Sequence, residues 1–438
     1  MDMVTELNHP DPAVRMRAAA AVGTLIRSGS LPVNAGDEVN NHVHTSFSFS
    51  PYQPAAAAFA AYQAGLKAVG IMDHDSVGGC AEFIAAAAEI GIASTCGFEL
   101  RVHFTGTAME GRKLNNPDSC NIGYMAIHGI PKQRLADAAE FLKPLQRARN
   151  LRNQAMVQAL NAILIQKKIS PVDYQKDVEQ ASEAARGGAI TERHVLAALA
   201  RKLIAQYGKG PGLVQALEMS LDVRVPTKIV PLLSDAANPH YLYDLLGILK
   251  SVFLERIFIQ PNESECISVH EAVAFGNRIH AIPVYAYLGD VGESPTGDKK
   301  AEKFEDGFLD ELMVELKRIG MKGLTYMPPR NTREQILRIQ ALCRSHGFME
   351  ISGVDINSSR QSFNCPIILQ PEFRHLITAT WALIAHEKLA SQDEQYALFN
   401  PRNPLASKTL SERIDAYAAI GKQMNHREPD QVLQLVNW

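Results

Sequence analysis

Cysteine is scarce in this chain, and what there is carries no metal-binding spacing. Cys80, Cys96, Cys120, Cys266, Cys343 and Cys365 are scattered over 438 residues without a CxxC pair. That pattern excludes a disulfide framework and a zinc knuckle, and it predicts reduced thiols in a cytoplasmic protein. Long apolar runs are also missing. None approaches the roughly 20 residues that a membrane span requires, and the opening residues MDMVTELNHPDPAVRMRAAAAVG lack the basic, apolar, small-residue order of a signal peptide. Neither sign of charge dominates: 44 Lys and Arg stand against 47 Asp and Glu, a net charge of -3. We therefore expect no long nucleic acid and no membrane as partner, although a local basic pocket remains open. No internal repeat, low-complexity tract, HExxH or EF-hand pattern occurs. Oligomeric state is not legible at this level.

What is present suits a globular enzyme. Hydrophobic residues make up 46% and charged residues 21%, and the length fits one large barrel with insertions or two domains. Residues 11–27 predict a helix, with Val14, Ala18, Ala21, Val22 and Leu25 in one stripe. Strand-like runs then follow at Asn40–His44, Ala68–Met72, Ala93–Glu99, Ile122–His128, Phe253–Ile259, Ile282–Leu288, Gly323–Met327 and Met349–Val354. Helical patterns lie between many of them, at Pro54–Ala64, Gly79–Ile90, Phe304–Ile319 and Arg333–Ser345. This alternation predicts an α/β fold with a largely parallel sheet. The rhythm breaks over 131–235, where Gln133–Lys167, Glu192–Gln206 and Gly212–Met219 read as helices. The expected organisation is an N-terminal helical extension (1–36), a first barrel part (37–130), a helical insertion (131–235), and a second barrel part with C-terminal helices (236–438). The polar loop Gly289–Glu302 reads as a lid.

Metal-type ligands cluster where these strands end. The first run closes on His42-Val43-His44, with both imidazoles on one side by period-two alternation. The later ones close on Asp73-His74-Asp75, on Glu99, on His128, and on Asp355-Ile356-Asn357. In an α/β barrel the strand ends share one face, where catalytic groups collect. Imidazole with carboxylate favours a borderline divalent ion such as Zn, Mn or Fe. Each residue taken singly has a plainer role: His128 as a satisfied core histidine, Asp355 as a helix cap, Glu99 as a surface charge. Their joint placement on a fold that gathers strand ends is what favours metal.

Taken together, these motifs resemble the polymerase-and-histidinol-phosphatase (PHP) superfamily, in its metal-dependent phosphoesterase branch. NHVHTSFSFS supplies an HxH followed by Thr, MDHDSVGGCAEF a DH pair, CGFEL and MAIHGI a Glu and then a His, and GVDINSSRQ the closing Asp. The motifs occur in the superfamily's order and span 42–357. The resemblance implies a distorted seven-stranded (β/α)7 barrel holding one to three divalent metals. It implies His42, His44, Glu99 and Asp355 at a first metal, with Glu99 bridging to a second metal shared with His128. It implies a third metal on His74. Departures are visible as well. Tyr287 stands where a further histidine is expected, with Asp290 as a possible substitute; Phe49 or Ser50, and Asn357, stand at ligand positions of the third metal; Asn40 replaces an aspartate. The resemblance also implies that the helix holding TERHVLAAL turns His194 toward substrate phosphate or metal.

The chemistry expected is hydrolysis of a small phosphorylated metabolite or nucleotide by a metal-activated water. Arg330 in PPRNT and Arg360 after Asp355 are the candidate phosphate contacts, with a surface salt bridge as the equal alternative; Lys299 and Lys300 are weaker candidates. Asp73 would orient His74, transfer a proton, or stand behind the ligands. Three rivals remain: a non-catalytic metal- or ligand-binding module with a decayed site, a polymerase-type exonuclease, and an amidohydrolase-like hydrolase acting on C–N bonds.

Overall fold

The computed structural model describes residues 3–32, 36–116, 119–290 and 304–438. It opens with α1 (Met3–Leu7) and α2 (Pro12–Arg27), where Asp11 caps the second helix by accepting from the Ala13 N–H. Then β1 (Val39–Val43), α3 (Pro54–Gln63), β2 (Ala68–His74), α4 (Cys80–Ile90), β3 (Ala93–His103) and β4 (Ile122–His128) lay down the first half of a sheet. Helices α5 (Leu135–Gln166), α6 (Glu192–Tyr207), α7 (Pro211–Leu221), α8 (Val230–Ser234) and α9 (Tyr241–Ile257) interrupt it. The sheet resumes with β5 (Ile267–Ser268), α10 (Val269–Arg278), β6 (Ile282–Ala286), α11 (Leu309–Ile319), β7 (Gly323–Tyr326), α12 (Arg333–His346) and β8 (Met349–Ser352). Helices α13 (Arg374–Gln392) and α14 (Leu410–Gln423) follow. Among the described residues no helix is long and apolar enough to cross a membrane.

The sheet order is β1-β2-β3-β4-β6-β7-β8, with β5 pairing to β3. Its two ends meet: Val43 bridges Ile356 in parallel, and the His44 N–H donates to the Ile356 carbonyl at 2.9 Å. The result is a nearly closed α/β barrel. Strands such as β2 are buried almost throughout, as expected when helices cover the outside of a parallel sheet and side chains fill its inside. The strand expected at 253–259 is instead the end of α9 and the turn after it, because Phe253 and Ile257 lie one helical turn apart and both pack inward among the helices. The short β5 was not anticipated.

One strand runs against the rest. β4 is antiparallel to both β3 and β6, while the β1-β2-β3 and β6-β7-β8 pairs are parallel. Its C-terminal residue therefore points to the opposite end of the barrel. His128 pairs with Gly97, two residues below Glu99, and Tyr124 pairs with Arg101 at the upper rim. The expectation that His128 joins the other strand ends on one face is corrected accordingly: it sits deeper, fully buried.

The helices between β4 and β5 carry a hydrophobic core of their own, built from residues such as Met156, Leu160, Leu199, Leu217, Leu245 and Phe253. The 32-residue α5 spans both cores. Ala138, Leu142 and Leu145 pack on the barrel, and Met156, Leu160 and Leu164 pack in the helical cluster.

Close backbone approach makes Gly97 a sensitive point. A Cβ there would lie 2.3 Å from the Ile127 carbonyl oxygen and 3.2 Å from His128 Cα. Gly97→Ala should cost about 1–3 kcal/mol, since two strands must separate. Gly247→Ala, on the exposed side of α9 with nothing within 4 Å of the added carbon, should instead stabilise by up to about 1 kcal/mol. Urea unfolding of the two variants checks this opposition of sign.

Candidate metal centre and cleft

β1 and the segment after β8 bring the first ligands together. The Asn40 side chain stitches the seam: its Nδ2 donates to the Val354 carbonyl, and its Oδ1 accepts from the Val354 and His42 N–H groups, all at 3.0 Å. Gly353 permits this passage, because a Cβ at that position would lie 2.5 Å from His42 Cβ. His42 and His44 then stand with ring centroids 5.1 Å apart, and His74 from β2 lies 4.5 Å from His44. Glu99 Oε2 is 3.2 Å from His74 Nδ1 and 3.6 Å from His42 Nε2, and Asp355 Oδ1 is 3.2 Å from His44 Nε2. Two ligand sets of metal-binding dimensions result: His42, His44 and Asp355; and His44, His74 and Glu99.

Burial and neighbouring charge pull against each other in this cluster. Burial opposes ionisation of Glu99, but His74, His42 and His44 hold its pKa down to about 2. Asp355 is likewise kept well below the carboxylate range, chiefly by His44, against its burial. Burial pushes His74 down to about 3, against the pull of Glu99. His128 is pushed to about 3 by burial and by neighbouring His42.

These donors fit a divalent cation. His44 Nδ1 lies against Ser48 Oγ at 3.1 Å, which leaves Nε2 to face Asp355. Among the described residues that buried nitrogen has no neighbour in hydrogen-bonding geometry. An imidazole nitrogen and a carboxylate at 3.2 Å need a positive centre between them: a proton on Nε2, which Asp355 favours by raising the His44 pKa against its burial, or a divalent cation that takes the place of that proton. Among the described residues both ring nitrogens of His128 are also buried and have no hydrogen-bond partner, an arrangement that native proteins seldom keep without a ligand.

Other expected residues make different contacts, although Tyr287 and Asn357 do line the cleft. Asp73 does not orient His74. It accepts from Thr45 N–H (2.7 Å), Thr45 Oγ1 (2.6 Å) and Ser48 Oγ (2.6 Å), behind His44 and away from the cleft wall. Asn357 donates its amide to Asp355 Oδ1 at 2.8 Å. Phe49, at φ +77°, sends its ring into the helical core against His194 and Tyr243. Tyr287 donates to Asp306, and Asp290 accepts from the Phe304 and Asp306 N–H groups, so neither completes a ligand set. His194 closes a capping box at the start of α6, its Nδ1 accepting from the Thr191 N–H at 3.0 Å, and its ring is absent from the cleft wall. Arg330 does line the cleft. Arg360 does not: its Nε and Nη2 donate to the two carboxylate oxygens of Asp244 at 2.6 and 2.8 Å. Lys299, Lys300 and most of the expected lid loop lie outside the described residues.

The cleft also holds residues that the sequence reading missed. Arg101, Arg149, Arg193 and Lys250 join Arg330 in its wall, with Tyr124, Leu196, Leu254 and Phe258 as apolar surface. Arg101 and Arg149, together with Arg152, belong to a buried network with Asp75, Glu192 and Glu265. Arg149 reaches Asp75 (2.5 Å) and Glu265 (3.1 Å); Arg152 reaches Glu265 and Glu192, both at 2.5 Å; Arg101 reaches Glu192 at 2.8 Å. Two arginines three apart on the buried face of α5 were the available signal. Tyr124, four residues before His128 on one strand face, was another.

Residues 40–218 match the family model described as the PHP domain. Among solved structures, a candidate metal-dependent phosphoesterase from Bifidobacterium adolescentis aligns at 18% identity and a TM-score of 0.49, over 79% of this chain and 97% of that one. An amidohydrolase from Chromobacterium violaceum, solved with bound sulfate and no metal, aligns at 18% identity and a TM-score of 0.48, over 78% of this chain and 96% of that one. No curated protein matches the chain.

His194 yields a pH prediction. Burial, with Arg201 and Arg193 nearby, pushes its pKa down to about 3, whereas an unfolded histidine titrates near ~6.5. Below that value the unfolded chain takes a proton that the folded chain refuses, so stability is lost as pH falls from about 6.5 toward 3. Glutamine at the same capping position can preserve the box. His194→Gln should therefore gain on wild type by up to about 2 kcal/mol between pH 7.5 and 5. Urea unfolding at both pH values tests it, and equal pH slopes would refute it.

Proposed function

We propose that this chain, a PHP-domain protein over residues 40–218, is a metal-dependent phosphoesterase that hydrolyses a small phosphorylated metabolite or nucleotide. The observation that carries the proposal is a single cleft in which a cluster of imidazoles and carboxylates adjoins Arg101, Arg149, Arg193, Lys250 and Arg330. A substrate with a dianionic head suits that wall, because guanidinium and ammonium groups make charge-assisted hydrogen bonds to phosphate oxygens that a neutral amide could not use as fully.

His42, His44, Glu99 and Asp355 would hold one divalent ion, Zn, Mn or Fe, with Glu99 and His128 facing a second and His74 beside them. Such an ion lowers the pKa of a bound water to about 7 and draws charge from phosphoryl oxygens. The chain's own residues do the rest. Arg330 and Arg101 bind phosphate oxygens and orient the ester. The buried carboxylates Glu192 and Glu265 keep Arg101 and Arg149 in place before substrate arrives, so little reorganisation is needed on binding. Tyr124, Leu254 and Phe258 offer apolar surface to the organic part and displace water from it.

One feature favours a second reading, a binding module with a decayed site: Asn357 and Tyr287 stand at ligand positions and are turned to Asp355 and Asp306. Turnover decides between the two. A panel of phosphomonoesters and phosphodiesters, assayed with Mn, Fe, Zn and Mg, should show hydrolysis that chelation abolishes. Asp355→Asn should lower kcat on the order of 100-fold or more, since it removes a charged ligand at constant size. Arg330→Ala should lower kcat/KM roughly 10- to 100-fold, the worth of a charged hydrogen bond, whereas Arg360→Ala should change it little. Metal binding without turnover on any of these esters would make the binding module the better account.

A further inference from the structure

The turn that follows β1 holds a chain of buried hydrogen bonds whose proton positions can be deduced. His44 Nδ1 lies 3.1 Å from Ser48 Oγ, and Ser48 Oγ lies 2.6 Å from Asp73 Oδ1. Asp73 also accepts from the Thr45 N–H and the Thr45 hydroxyl. All four residues are at most 3% exposed. The Ser48 hydroxyl has a single hydrogen, and a carboxylate only accepts. Were that hydrogen turned toward His44, two oxygens would face each other at 2.6 Å with no proton between them. The hydrogen therefore lies on the Asp73 side, Ser48 Oγ accepts, and His44 Nδ1 must be the donor. When the ring is neutral, as a metal ligand must be, the other ring nitrogen, Nε2, carries the lone pair, and it is the atom that faces Asp355.

We propose that Ser48, anchored by Asp73, is a positioning residue that holds His44 as the Nδ1–H tautomer and aims its Nε2 lone pair at the metal. The inference rests on the metal reading above and adds to it a residue that does not line the cleft. The physical gain is twofold. A ligand nitrogen locked in the binding tautomer loses less freedom when it coordinates, and a donor bond from Nδ1 toward a carboxylate-backed oxygen makes Nε2 more basic.

Two measurements test this on the full chain with zinc alone. In the zinc-loaded wild type, long-range proton–nitrogen NMR of His44 should show Nδ1 protonated and Nε2 coordinated; the reverse assignment overturns the inference, and no variant has to fold for that result. Chelator competition should then give Ser48→Ala a zinc affinity about 10-fold weaker, within the range of lost outer-shell partners. Ser48→Thr, which keeps the hydroxyl, should recover it. Asp73→Asn should weaken binding by the same route, so the double variant with Ser48→Ala should be no weaker than the worse single one. Unchanged zinc affinity in a folded Ser48→Ala, or losses that simply add in the double variant, would overturn the inference alone. A wild type that binds no zinc removes the metal reading and this inference with it.

Discussion

The Asn40 amide holds the place where the barrel closes. Its two ends bond to the Val354 backbone, 314 residues along the chain, and to the His42 N–H. Asn40 itself is fully buried, so leaving its amide without these partners would cost about 1–3 kcal/mol. They set the register between β1 and the segment after β8, and with it the distance between His44 and Asp355. The glycine before that segment makes the approach possible, since any side chain at 353 would strike His42. Candidate ligands from distant parts of the sequence meet because the sheet's two ends join at this point.

A second constraint joins the helical part to the barrel. Arg149 and Arg152 on α5 and Glu192 on α6 interlock with Asp75 after β2, Arg101 on β3 and Glu265 before β5. Three guanidinium groups and three carboxylates balance in charge, so the desolvation of each is offset by partners on both sides. Such a network adds little net stability over an apolar equivalent, but breaking one partner leaves a buried charge exposed to the full penalty. Its value here is geometric. It places the cationic wall of the cleft next to the ligands and pins α5 and α6 over the barrel, with Phe49 reaching into the helical core from the turn after β1.

Much of the candidate ligand cluster was legible because it is local. An HxH alternation, a DH pair at a strand end and an Asp after the last strand can each be read from neighbouring residues and the period of a strand. The alternation of strand and helix gave the α/β class for the same reason. His194 and Arg360 were less legible, since their surroundings compete for them. A histidine at the third position of a helix can cap it with its own Nδ1, and an arginine on a loop pairs with whichever carboxylate packs nearby, here Asp244. The strand expected at 253–259 failed similarly. A short apolar run has no period of its own, and burial on α9 satisfied it as well as a sheet would.

By itself the sequence determined the residue types that can bind metal, their order, and the strands that carry most of them, because backbone periodicity acts over a few residues. Tertiary structure decided the rest. The reversed direction of β4 is set by pairing with β3 and β6, and that pairing sinks His128 below Glu99 and lifts Tyr124 to the rim. The cationic wall is likewise a product of long-range packing: Arg101, Arg149 and Arg330 are separated along the chain, and only closure of the barrel under α5 and α6 turns them to one cleft. Charge and burial are properties of what surrounds a side chain, and in this fold those surroundings are supplied by residues far away along the chain.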